Sequence, residues 1–320
     1  MRKSASPAPT GPVPICFMLD DTAPVNPMTH LYPHQPHKLV IPNALWEELG
    51  DFCAEHDVRG KTSVLPNPSG CGRIDQGLRV LPDGHLEGFL QAMHNLAQQL
   101  DLTPEIVTHE MVVDPQTGRH LHWFEDQWVA RQDRETIADY LAYALRILKQ
   151  AGLRANGMTS PWSTGIEIEP VYAAAISDAL WRVNRVRHTW YFLHVDEQTP
   201  RLTPQVTYRD ADHGRTVVSL PSGTTDFLWY TQYAPTRREG LAVAREAMEG
   251  LLSRDGTRGR LVELFHSGGP IIFHSHGESL FSNDTRAGLQ GLFELILRIE
   301  AVFGDRVRWM RCSELAAQVR

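Results

Sequence analysis

Two doublets of titratable side chains stand near opposite ends of this sequence. Asp20 and Asp21 follow the apolar run at residues 13–19, and His274 and His276 close the run at 270–273. Carboxylates directly after a buried run are costly without a partner. Chemistry that uses such a pair is metal ligation by one and proton transfer by its neighbour; the plainer role is capping a turn. Strand alternation places His274 and His276 on one face, with Phe273 and Ser275 on the other. Two imidazoles converging there repel when both are charged, so a shared cation or a shared acid accounts for them.

Further candidates sit at the ends of other apolar runs. His109, in Thr108-His109-Glu110 after Ile106 and Val107, is a candidate ligand with Glu110 as its hydrogen-bonding partner or as a separate acid. His194 and Asp196 fall on one side of a strand by the period of two and make a candidate His–carboxylate pair. Asp226, before Phe227-Leu228-Trp229, is placed to support another catalytic group or to cap a helix. The loop at 156–165, with Trp162, suits stacking on a sugar ring, and Glu278 with Asn283 and Asp284 forms a rim beyond the late histidines. His120 and His122, beside Trp123 and Trp128, offer substrate contact or loop packing; Glu167 and Glu169 read as helix caps.

The elements that must position these residues alternate. Strands are expected at 13–19, 61–65, 104–108, 153–159, 189–194, 217–220, 270–274 and 307–310. Helices are expected at 43–55, with Asn43 as cap, and at 83–100, 134–151, 170–185, 237–252 and 286–303. Roughly seven or eight β-then-α units predict an α/β fold with a parallel sheet. No nucleotide fingerprint follows the first strand, which favours a closed barrel over an open doubly wound sheet. Residues 1–12, rich in Ser, Pro and Ala, are expected to be a flexible segment, and 13–320 a single domain.

Composition narrows the function. The 320 residues are 42% hydrophobic and 22% charged, enough to build a core without disulfides. A net charge of −7 with only short basic clusters argues against a nucleic-acid reader. No apolar run approaches the roughly 20 residues of a membrane helix, and the first 14 residues lack the apolar core of a signal peptide. Cys16, Cys53, Cys71 and Cys312 show no metal-knuckle spacing. The expectation is a soluble, unprocessed, cytoplasmic protein acting on a small-molecule or carbohydrate substrate, without nucleic-acid or membrane partners.

In this order, the segments resemble the glycoside hydrolase/deacetylase superfamily, and especially its polysaccharide-deacetylase-like (NodB-type) branch of distorted seven-stranded (β/α) barrels. Leu19-Asp20-Asp21 resembles the opening motif, which implies Asp20 as general base and Asp21 as metal ligand. Thr108-His109 resembles part of the second motif, whose second histidine, one helical turn on, would fall on Val113. The segment from Arg154 to Trp162 sits where the family's active-site wall occurs. Ile272-Phe273-His274-Ser275-His276 resembles the closing motif, whose histidine is the general acid.

The resemblance implies a divalent cation, zinc by its mixed carboxylate and imidazole ligands, held by Asp21, His109 and one of the late histidines, with His274 as ligand and His276 as acid. Arg154, Trp162, His194, Asp196, Asp226 and Glu278 then contact substrate, and the reaction is removal of an acyl group from an N-acylated sugar or related amide by metal-activated water. Two rivals remain. One is a metal-free glycoside hydrolase using two carboxylates drawn from Asp20, Asp21, Glu110, Asp196 and Asp226; the other is a carbohydrate-binding barrel without catalysis.

Overall fold

A computed structural model of the protein describes residues 11–27 and 37–319, so most of the segment expected to be flexible lies outside the described residues. The first strand, β1 (Val13–Thr22), is nearly all buried. After α1 (Asn43–Glu55) comes β2 (Gly60–Val64), and after α2 (His85–Leu96) comes β3 (Leu100–Pro104). Near the C-terminus, β10 (Ile271–His276) and β11 (Val307–Trp309) both pair with β1. These five strands form one parallel sheet running β10-β1-β2-β3, with β11 beside the start of β1. Strands buried on both faces are expected of a parallel sheet covered by helices, which explains their near-continuous apolar runs.

A second sheet contains β6 (Met158–Thr159), β7 (His188–Phe192), β9 (Arg215–Ser219) and β8 (Gln205–Asp210), in the order β6-β7-β9-β8. Only β8 is antiparallel. One seam between the sheets carries an isolated parallel bridge from Glu105 to Thr159. At the other, the Gly223 N–H donates to the Ile272 carbonyl at 2.7 Å. The architecture is therefore α/β with parallel strands in two sheets, and strand pairing is not continuous around them as the barrel expectation required.

Helices cover the strands. The long α4 (Arg134–Gln150) is capped by Asp133, which accepts from the Thr136 N–H, and packs beside α5 (Glu169–Asn184). The helix α6 (Arg237–Leu251) is capped by Thr236 and lies against α9 (Ala287–Phe303). At the β1–β2 contact, a Cβ on Gly60 would fall 1.7 Å from the Phe17 carbonyl oxygen, so only glycine fits there.

Several expectations shift. The third strand starts four residues earlier than expected, and residues 106–109 are a loop in which Ile106 and His109 take positive φ. The strand expected at 153–159 shrinks to Met158–Thr159, and the helix at 83–100 to His85–Leu96, entered through Gly84 at φ +75. Asn43 is not a cap: the helix N-cap is Pro42, and the Asn43 amide donates to the His85 carbonyl instead. The hairpin β4 (Met111–Val113) and β5 (His120–Phe124), the strand β8, the short α3 (Glu125–Val129), α7 (Arg260–Ser267), α8 (Gly277–Phe281) and α10 (Cys312–Ala317) were not expected; short elements give too few periods to show. No helix among the described residues is long and apolar enough to cross a membrane.

Candidate metal and acid–base site

The C-terminal ends of β1 and β10 meet in register, Asp20 opposite His276 and Met18 opposite His274. Alternation then points Asp20, His274 and His276 to one side. Asp21 should face away, but it does not. Between Leu19 and Thr22 the pairing with β2 slips, and Asp21 takes φ +57. The bulge turns the second carboxylate toward the same space, so Asp20 and Asp21 both line one cavity of about 500 Å³. Glu105, His109, Trp162, Trp229, His274, His276 and Glu278 are also on its wall.

Two groups of three ligand-bearing side chains converge there. In each, one atom per residue lies within 4.8 Å of the other two: Asp21, Glu105 and His109 in one, Asp20, His274 and His276 in the other. In the first, His109 Nε2 lies 3.3 Å from Asp21 Oδ1 and 3.6 Å from Glu105 Oε1. The other Glu105 oxygen is taken by the Ser63 hydroxyl and by the Asp21 N–H at 2.9 Å. Asp21 Oδ1 is buried without a hydrogen bond.

The electrostatics are demanding. Burial, the largest influence, works against ionisation of Asp21, but His109 and His276 together hold its carboxyl below the usual range. Burial and then the Asp21 charge push Glu105 up, and push Glu278, hydrogen-bonded to Asp21, far up. Burial also opposes a charge on His109, yet Asp21, Glu105 and Glu125 outweigh it and raise the imidazole. Three crowded carboxyls in a low-dielectric wall, of which Asp21 and Glu278 each bury one oxygen without a hydrogen bond, have the donor chemistry of a cation site.

The second group is organised from behind. Asp226 Oδ2 accepts from His276 Nδ1 at 2.8 Å, while its carboxylate also takes Ser275, Ser279 and the Leu228 N–H. Burial disfavours the His276 charge, but the Asp226 contact and the Glu278 and Asp21 charges prevail, carrying the imidazole up to about 10. Burial and the neighbouring His276 drive His274 down to about 3, and its Nδ1 lies 3.1 Å from Ser222 Oγ. Asp20 is paired with Lys61, which is fully buried and also donates to Thr159 Oγ1 at 2.8 Å. Burial, against the pull of Glu105, brings the Lys61 ammonium down to about 8.

The loop that presents His109 is held by Glu125, a residue that the strand-end search passed over. Its carboxylate accepts from the N–H groups of Val107 (3.2 Å), Thr108 (3.0 Å) and His109 (2.9 Å) and from the Tyr140 hydroxyl (2.7 Å). Burial is the main reason its carboxyl rises to about 7.

The structure gathers Asp20, Asp21, His109, Trp162, His274, His276 and Glu278 in one cavity and removes the other candidates from it. Arg154 stands before β6, away from the strand end, and donates to the Asn184 carbonyl at 2.9 Å. Because β7 stops at Phe192, the alternation that paired His194 with Asp196 does not continue. His194 binds Glu169 at 2.8 Å, Asp196 caps the N–H groups of Gln198 and Thr199, and both line a neighbouring cavity. Asp226 is behind His276, outside the cavity wall, which corrects its reading as a substrate contact. His274 groups with Asp20, not with Asp21 and His109.

The third member of the Asp21–His109 group is Glu105, four residues before His109, whereas the resemblance put the second histidine four residues after it, at Val113. Lys61 was also missed, although a lysine inside a buried strand was the available signal.

No protein-family model and no curated protein matches the chain. Among solved structures, a GH57-type branching enzyme from the archaeon Pyrococcus horikoshii is similar with a TM-score of 0.50 and 13% identity, over 96% of this chain and 70% of that one. A 4-alpha-glucanotransferase from Thermococcus litoralis gives 0.49 and 12%, over 97% of this chain and 41% of that one. A CE4-family pseudoenzyme from Bacillus anthracis gives 0.40 and 11%, over 98% and 71%. At 13% identity the likeness to the branching enzyme is one of fold alone.

Proposed function

We propose that the chain is a metal-dependent hydrolase, built on a ring of seven parallel strands, that removes the acyl group from an N-acylated sugar or related amide. The observation that carries this reading is the convergence of Asp21, Glu105 and His109, with the buried Asp21 Oδ1 accepting no hydrogen bond, and an acid–base pair across the same cavity. Asp21, Glu105 and His109 would hold a divalent cation, zinc or a harder ion given two carboxylates and one imidazole. Such an ion supplies Lewis acidity toward a carbonyl and lowers the pKa of water.

The chain's own groups supply the proton transfers. Asp20, ion-paired with Lys61, would accept a proton from the attacking water. His276, charged and oriented by Asp226, is placed to donate one to the leaving nitrogen. Trp162 packs edge-on to His109 at 5.0 Å and Trp229 edge-on to His276 at 5.6 Å, giving the cavity two aromatic walls suited to a sugar ring.

The two-carboxylate glycosidase reading has less support. Of its five candidates only Asp20 and Asp21, adjacent in sequence, line the cavity. The differently tuned pair Asp21 and Glu278 shares a hydrogen bond, leaving no room for a sugar between carboxyls that a retaining enzyme holds about 5 Å apart.

The test is elemental analysis of protein purified without chelator, followed by acetate release from N-acetylated amino sugars. The expected result is one tightly held divalent ion and an activity that Asp21→Ala abolishes. Activity that survives both chelation and Asp21→Ala overturns the reading, and protein that binds no added metal supports a non-catalytic barrel instead.

A further inference from the structure

The acid–base side of the cavity has the donor set of a metal site in its own right. Asp20, His274 and His276 present one carboxylate oxygen and two imidazole nitrogens within 4.8 Å of one another. Both imidazoles are anchored through Nδ1, His274 on Ser222 at 3.1 Å and His276 on Asp226 at 2.8 Å. Among the described residues neither Nε2 finds a hydrogen-bond partner, and both rings line the cavity. An imidazole fixed through one nitrogen by a hydroxyl or carboxylate, with the other turned to open space, is the arrangement that orients histidine ligands in metal sites. One carboxylate with two imidazoles is also a common catalytic zinc set.

We propose that Asp20, His274 and His276 form a second cation site, weaker than the first, whose occupation stops catalysis. The binding claim rests on this geometry alone; the inhibitory claim rests on the proposed acid–base roles of Asp20 and His276. Lys61 already occupies one oxygen of Asp20, so an incoming cation meets a like charge, and the first cation site is close by. Both effects make this the later site to fill. Once filled, it ties up the oxygen that accepts a proton and the nitrogen that donates one. Zinc dependence is then biphasic: the first equivalent activates and the second inhibits.

Equilibrium dialysis against zinc, with elemental analysis, reads the sites without relying on turnover. Wild-type protein is expected to take up two equivalents, and Asp21→Ala, His274→Ala and His276→Gln one each. Activity is expected to fall at least tenfold between the first and second equivalents. A single wild-type equivalent that Asp21→Ala removes and His274→Ala keeps overturns the second site and leaves the proposed function standing. A single equivalent that His274→Ala removes and Asp21→Ala keeps overturns the proposed function and the inhibitory claim with it, and leaves only the binding claim standing. Two equivalents with undiminished activity overturn the inhibitory claim.

Circular dichroism checks that the variants fold. Should the histidine variants not fold, Ser222→Ala, which removes the partner of His274 Nδ1 together with the hydroxyl's contacts to the Thr224 backbone, is expected to weaken the second equivalent about tenfold and spare the first. An unchanged second equivalent there overturns the site.

Discussion

His276 Nδ1 lies 2.8 Å from Asp226 Oδ2, and that one oxygen also accepts the His276 backbone N–H and the Ser279 hydroxyl. The aspartate thus fixes both the ring and the backbone that carries it. Because the imidazolium persists to about pH 10, the alkaline limb of kcat/KM is expected well above the ordinary imidazole range. In Asp226→Asn, burial is left without its counterweight, and the limb is expected to move toward acid by about two pH units or more. A pH–rate profile unchanged by the substitution would sink the assignment of His276 as acid.

The same shift has a stability consequence of definite sign. With its folded pKa above the ordinary value near 6.5, His276 binds more protons in the folded chain between pH 6.5 and about 10. Its stabilisation is complete below about pH 6.5 and is lost as pH rises toward 10, on the order of a few kcal/mol. Urea midpoints of wild type and Asp226→Asn are expected to differ most on the acid side of this window and to converge on the alkaline side.

Glu125 is expected to matter out of proportion to its distance from any substrate. In Glu125→Ala three backbone N–H groups and the Tyr140 hydroxyl lose their acceptor in a buried setting, a loss of about 3 kcal/mol or more in unfolding free energy. Glu125→Gln retains one acceptor oxygen and is expected to cost less. If denaturant midpoints show the alanine variant as stable as wild type, the loop has another anchor.

Metal removal gives a readout independent of turnover. A ligand that binds only the folded chain stabilises it by about 2.7 kcal/mol at a free concentration 100 times its Kd. Chelation is therefore expected to lower the melting temperature of wild type by several degrees and that of Asp21→Ala, which keeps only the weaker site, by much less. Equal responses in the two proteins would place the bound ion elsewhere.

Trp162 is 46% exposed at the cavity edge, so its truncation disturbs little of the core. Trp162→Ala is expected to raise KM for an N-acylated sugar about tenfold, the loss of roughly 1.4 kcal/mol of ring contact, with a much smaller change in kcat. A drop in kcat alone would assign the ring to the chemistry and not to binding.

Much of this was legible in the residues because it is periodic. The helix at Asn43–Glu55 was read to the residue from its apolar spacing, and the late strand delivers His274 and His276 to one face as its period of two requires. What escaped depends on where the chain departs from periodicity. Glu105 was hidden because the third strand was placed over residues 104–108, making it a strand residue when it begins a loop. Asp21 reaches the cavity only through a bulge, and Glu125 opens a helix of five residues. His194 and Asp196 failed for the converse reason: a period was extended past the end of its strand.

Three side chains on the cavity wall, Asp21, His109 and Trp162, sit on backbone with φ of +57, +64 and +50. Left-handed torsions in residues other than glycine cost on the order of 1 kcal/mol or more each, and they persist only where the surroundings enforce them. The fold therefore sits below its own stability ceiling. Directed selection for heat tolerance would find gains by placing glycine at these positions, and each gain would remove a side chain the cavity is built from.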